Sequence, residues 1–187
     1  MIKAIVAGAS LGGIEAIRKI LFALPANFNI PVVFVLHIGT SNINSYISML
    51  NDNSVFTVKE AEEKEYIKSN TVYFAPPNYH LLVEKNHTFS LSTDEKVNFS
   101  RPSIDVLFET AAWTYKENLL GILLTGMNND GAAGLQTIKK YGGITITENP
   151  ETAHAQIMPR SAIEMFTPDF ILDLKDIPNQ IIKLTNL

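Results

Sequence analysis

The sequence predicts an α/β fold: a doubly wound, mostly parallel sheet with helices on both faces and one antiparallel β-hairpin. Three observations lead there. Short apolar runs rich in β-branched residues, such as Pro31–Leu36 and Leu119–Leu124, alternate with segments of helical periodicity from end to end. The first run, Ile2–Ala9, passes through the glycines of Gly8-Ala9-Ser10-Leu11-Gly12-Gly13 into a helical pattern, the strand–turn–helix of an α/β unit. One segment breaks the alternation: Tyr79–Glu84 and Thr88–Ser92 flank Lys85-Asn86-His87 as a hairpin.

In chain order, Ile14, Ile17, Leu21 and Leu24 recur at helical spacing until Pro25. Pro31–Leu36 reads as a strand covered on both faces, ending at His37-Ile38-Gly39. A modest helix is expected over Asn44–Leu50, strands over Val55–Val58 and Thr71–Ala75, and a surface connection over Glu60–Asn70. After the hairpin, a helix runs from about Ser103 to Glu117, with Ile104, Leu107, Phe108, Ala111 and Ala112 on its apolar face. The strand Leu119–Leu124 opens into Thr125-Gly126-Met127-Asn128-Asn129-Asp130-Gly131, and a helix follows to Tyr141. A strand at Ile144–Thr147, a short helix at Pro159–Phe166 and a strand at Phe170–Leu172 precede a last helix opened by Asp176-Ile177-Pro178. No repeat, low-complexity tract or linker interrupts the pattern, so residues 1–187 are expected to form one domain.

Composition narrows the function. With 46% hydrophobic and 18% charged residues, the 187-residue chain is an ordinary globular protein. A net charge of −4 argues against nucleic acid or an anionic membrane as the main partner, and no apolar window is long enough for membrane insertion. The absence of cysteine removes disulfides, zinc–thiolate sites and a thiol nucleophile. No His/Asp/Glu cluster has metal-ligand spacing, and neither metal nor cofactor is expected. With no secretory signal pattern at the N-terminus, the expected location is the cytoplasm.

The chemistry centres on Ser10. Gly8-x-Ser10-x-Gly12 fits a nucleophile elbow, a dinucleotide cradle or a plain helix cap. In an open α/β sheet, ligands bind beyond the carboxyl ends of the strands. Ser10, His37 and Asp130 follow three such ends and together make a nucleophile, a base and an orienting carboxylate. The second strand ends at His37 rather than at the acid that would hold a ribose, which weakens the dinucleotide reading.

At Thr125–Ala132, taken with the Ser10 turn and His37, the chain resembles the catalytic domain of bacterial chemotaxis protein-glutamate methylesterases. The resemblance extends through Phe74–Leu82, Arg101–Phe108 and Met158–Ala162. It implies a serine hydrolase that cleaves glutamate γ-methyl esters on the helical bundle of methyl-accepting chemoreceptors, releasing methanol. In some members of the family, receptor glutamines are deamidated as well. Carried over by position, it makes Ser10 the nucleophile, His37 the base and Asp130 its orienting partner. The main-chain N–H groups of Leu11 and Met127 become the oxyanion site. The chain order Ser…His…Asp differs from that of α/β-hydrolases.

Two residues depart from the family pattern, which has threonine at Leu11 and glycine at Asn128. The first loses a hydroxyl, and the second gives up glycine's backbone freedom in the oxyanion loop. They leave a non-catalytic receptor-binding module of the same fold as the alternative. The family's receiver domain is missing from the sequence, which reads as a free-standing catalytic domain. Among the other polar residues, His80 is expected to make a structural hydrogen bond and His87 to be solvated at the hairpin tip. His154 is a rim residue, and Arg101 and Arg160 are expected to line the cleft or pair with acids.

Overall fold

The computed structural model describes residues 1–37 and 43–186. Seven parallel strands form the sheet: β1 (Ala4–Ala9), β2 (Val32–Leu36), β3 (Thr57–Glu60), β4 (Thr71–Phe74), β7 (Leu119–Leu123), β8 (Ile144–Glu148) and β9 (Phe170–Leu172). Their order across the sheet is β3-β4-β2-β1-β7-β8-β9. Strands β5 (His80–Val83) and β6 (Phe89–Ser92) form the separate antiparallel hairpin. The helices are α1 (Gly13–Ala23), α2 (Ile43–Asn53), α3 (Ile104–Tyr115), α4 (Ala132–Lys140), α5 (Ile157–Met165) and α6 (Ile177–Thr185). This is the doubly wound architecture that the alternating pattern predicts.

Because strand side chains alternate between faces, each central strand feeds two cores. Ile5, Ala7 and Ala9 of β1 pack with Val32, Phe34 and Leu36 of β2 beneath α1, α2 and α6. Ala4 and Val6 pack with Val33 and Val35 beneath α3, α4, α5 and the hairpin. Both faces being covered explains why these strands read as continuous apolar runs.

Element ends differ from the sequence expectation where polar side chains or proline decide them. Helix α2 continues to Asn53, the side chain of Asn51 accepts the Val58 N–H at 2.8 Å, and Val55 lies exposed in the turn, so β3 starts at Thr57. Helix α5 starts at Ile157, two residues before Pro159, because a first-turn proline gives up only an N–H that has no helical partner anyway. Ile38 and Gly39, expected after β2, lie outside the described residues.

Strand order reverses at β1: the chain passes from β1 to β2 on one side, whereas β7, β8 and β9 extend on the other. The carboxyl ends of β1, β2 and β7 therefore share one rim at the switch point. Helix α3 crosses β1 closely at Gly8, where an added Cβ would collide with the Ile104 side chain. Gly8→Ala is thus expected to destabilise the fold by about 1–3 kcal/mol through overpacking. Urea unfolding would show this as a lower midpoint with an unchanged m-value; an unchanged midpoint would contradict the close crossing.

Candidate active site

Ser10 directly follows β1, and its N–H donates to the Thr125 carbonyl at 2.9 Å, tying the serine turn to the loop after β7. The turn closes at Gly12, the N-cap of α1, with φ of 85°. Glycine is required there twice over, since an added Cβ would also lie 2.7 Å from the Cβ of His154. Ser10 is half-buried, and its hydroxyl has no hydrogen-bond partner among the described residues.

Strand register brings His37 alongside. Ala9 pairs with Leu36, and the His37 N–H donates to the Ala9 carbonyl at 3.0 Å, so Ser10 and His37 stand one step beyond the same pair on adjacent strands. Both line a cleft of about 850 Å³, whose walls include Leu11, Ile14, Leu36 and Leu174 with Thr125, Glu148 and His154. Of the weaker histidine candidates, His154 thus reaches the rim. His87 is exposed at the hairpin tip. His80 is buried, with Nε2 3.0 Å from the Glu95 carbonyl and Nδ1 accepting the Ser103 N–H.

Asp130 reaches the same rim from the loop after β7. Its Oδ2 lies 3.0 Å from His37 Nε2. The two atoms are in close contact without the alignment of a well-formed hydrogen bond. The carboxylate is completely buried, yet richly satisfied. Oδ2 accepts the Ile104 N–H at 2.7 Å; Oδ1 accepts the Ser103 hydroxyl at 2.7 Å and the Asp105 N–H at 3.1 Å. These donors are the N-cap and first turn of α3, where unpaired N–H groups and the helix dipole favour an anion. Burial alone would raise the Asp130 pKa. The His37 ring, the Ile104 N–H, the Ser103 hydroxyl and the Asp105 N–H outweigh it and hold the carboxyl below its ordinary value.

Asp105 braces this arrangement. Its Oδ1 accepts the N–H groups of Gly131 and Gly134 at 3.0 and 2.6 Å, joining the start of α3 to the start of α4. Asn98 spans the two acids, donating to Asp105 Oδ2 at 2.8 Å and, more weakly, to Asp130 Oδ1 at 3.4 Å. It sits in a tight turn in which Asn98 and Phe99 both take positive φ, 49° and 62°. Burial, partly offset by the Gly134 N–H and reinforced by the neighbouring Asp130 charge, pushes Asp105 up to about 6.

Thr125 ties the cleft together from below. Its hydroxyl donates to the Leu11 carbonyl at 2.8 Å and accepts the Ala155 N–H at 2.8 Å, while its own N–H donates to buried Glu148 at 2.8 Å. Leu11 and Met127 are 52% and 57% exposed, and their N–H groups meet no acceptor among the described residues. Among the described residues, no group of three His, Asp or Glu is placed to hold a metal ion.

Asn98, Asp105 and Thr125 carry no local sequence signal of a place in the site, and at Asn128 the sequence pattern points to the backbone alone. Its φ is not positive, so the loop makes no use of glycine's freedom there; instead its amide reaches His37 Nδ1 at 3.5 Å. Among the described residues Arg101 neither lines the Ser10 cleft nor pairs with an acid: its guanidinium donates to the Thr93 and Asp94 carbonyls. Arg160 does pair with an acid, Glu151, at 2.7 Å.

The raised Asp105 pKa has a testable sign. The folded state binds this proton more tightly than the unfolded chain, so the stability that it contributes is full below the ordinary carboxylate value, about 4. It is lost as pH rises through about 6. Asp105→Asn retains an acceptor for the two glycine N–H groups and removes the titration. Its melting temperature relative to native protein is expected to climb between about pH 4 and pH 7; a pH-independent difference would contradict this.

Comparison with known proteins identifies the family. The family model described as CheB methylesterase matches residues 5–181. A Leptospira interrogans protein is 53% identical over 182 residues, covering 97% of this chain and 94% of that protein. The protein-glutamate methylesterase/protein-glutamine glutaminase of Clostridium acetobutylicum is 36% identical over 98% of this chain, which spans 53% of its length. The crystal structure of the Thermotoga maritima CheB methylesterase catalytic domain superposes with a TM-score of 0.93 at 37% identity, covering 98% of this chain and 99% of that one. In sequence and in fold, the chain belongs to the CheB methylesterase family.

Proposed function

We propose that this chain is a single-domain serine hydrolase that cleaves glutamate γ-methyl esters on chemoreceptors, yielding glutamate and methanol, and that it acts in the cytoplasm. The observation that carries the reading is the buried, charge-stabilised Asp130 carboxylate 3.0 Å from His37, on the rim where the Ser10 hydroxyl is unengaged.

In this mechanism Asp130 orients the ring through Nε2, leaving His37 Nδ1 as the base. Nδ1 takes the Ser10 proton as Oγ attacks the ester carbonyl, and the oxyanion is met by the N–H groups of Leu11 and Met127. His37 returns the proton to the leaving methoxide, releasing methanol. Water then attacks the acyl-enzyme with the same histidine as base. An amide follows the same course with ammonia leaving, so glutamine deamidation requires no additional group. Leu11 costs the site a hydroxyl relative to the family pattern but keeps its main-chain N–H. Exposed Leu11 and Ile14 at the cleft support a protein substrate, here the helical bundle of a methyl-accepting receptor.

The test is methanol release from methyl-labelled chemoreceptor membranes. Native protein is expected to release it, and a folded Ser10→Ala variant is expected to release none; full activity in that variant would exclude Ser10 as nucleophile. Asp130→Asn is expected to lower turnover about ten-thousandfold, as when a triad carboxylate becomes an amide. It also replaces an acceptor oxygen by a donor among N–H groups, so its melting temperature is expected to fall as well. Binding to receptor without turnover, unchanged by Ser10→Ala, would instead favour the non-catalytic module.

A further inference from the structure

Asn128 stands on the side of the His37 ring opposite Asp130. Its amide orientation is set by its surroundings. Oδ1 accepts the Asp130 N–H at 3.2 Å, so the other end, Nδ2, is the one that faces His37 Nδ1 and Ser100 Oγ, each at 3.5 Å. The Ser100 hydroxyl gives its hydrogen to the Asn98 carbonyl at 3.3 Å, leaving lone pairs toward Nδ2. Nδ1 therefore meets a donor and must present its lone pair, while Nε2 meets a carboxylate and must carry the hydrogen. The two neighbours select one neutral tautomer, with Nδ1 as the basic nitrogen.

A neutral imidazole nitrogen has one in-plane lone pair, and a hydrogen bond from Asn128 uses the one that the proposed mechanism assigns to Ser10. Once Nδ1 takes the serine proton, its N–H would point at the N–H groups of Asn128. The amide must then withdraw, or rotate and give up its bond from the Asp130 N–H. Building on the proposed roles of Ser10 and His37, we propose that Asn128 is a positioning residue that holds His37 in its reactive tautomer but occupies the base nitrogen in the resting state, restraining Ser10.

The test follows the reaction of Ser10 with a fluorophosphonate. In that step the Ser10 Oγ–P bond forms, the P–F bond breaks with departure of fluoride, and the serine proton passes to His37. Second-order labelling rates would be compared for native protein, Asn128→Ala and Asn128→Asp, with the label located by peptide mass and Ser10→Ala as the control. Removing one weak hydrogen bond that competes for the base is expected to speed labelling about three- to tenfold in Asn128→Ala. The near-isosteric Asn128→Asp turns an acceptor toward Nδ1, favours a hydrogen there, and is expected to label more slowly than native protein. A structural role alone predicts the reverse order, with the isostere close to native and the truncation slower. Labelling of Ser10 at native or lower rates in Asn128→Ala, or faster labelling in Asn128→Asp, would overturn the inference and leave the proposed function standing. No labelling at Ser10 in any folded form would overturn both.

Discussion

The site depends on keeping one carboxylate charged where no water reaches it. Removing an ion like Asp130 from solvent costs several kcal/mol unless local dipoles replace its hydration. Here the replacement is the start of α3: a hydroxyl and two N–H groups, with a helix dipole behind them. The histidine ring completes the shell from the cleft side. Because those groups outweigh burial, the carboxylate stays ionised and aims a negative charge at one nitrogen of His37. This interaction fixes the neighbour of His37 Nε2.

Much of the surrounding structure serves to bring α3 to that point. Gly8 lets Ile104 lie against β1, so the first turn of α3 reaches the rim. Asp105 clamps the helix start to the N–H groups at the start of α4, and the strained Asn98–Phe99 turn delivers an amide across both acids. On the opposite side, Thr125 holds the Leu11 carbonyl and the Ala155 N–H, so the serine turn, the loop after β7 and the loop after β8 are fixed as one unit. The doubly wound order makes this economical: a single switch point places the ends of β1, β2 and β7 side by side.

Residues whose placement follows from chain position were legible in the sequence. Ser10, His37 and Asp130 each follow an apolar run, and parallel pairing alone carries the first two to one rim. Residues acting through side-chain contacts between elements distant in sequence were not. Nothing local distinguishes Thr125 from any threonine at a strand end, or Asp105 from an ordinary first-turn helix acid, until the folded chain supplies their partners. Asn98 looks like a turn residue and is one; that its amide reaches two buried acids is a property of packing. Gly8 sits in the elbow pattern, but the structure uses its missing side chain for the crossing of α3, whereas Gly12 makes the left-handed turn. At Asn128 the glycine of the family pattern points to the backbone, whereas the structure uses the side chain, which touches the histidine.

The most direct measurement of the central claim is a carbon-13 NMR titration of the Asp130 carboxyl, identified by its loss in Asp130→Asn. If the donors at the start of α3 and His37 outweigh burial, the resonance will titrate below the ordinary aspartate value of about 3.9 and stay ionised at every higher pH. A midpoint above that value would mean that burial prevails, that His37 faces a neutral acid, and that the site lacks the charge on which this account rests.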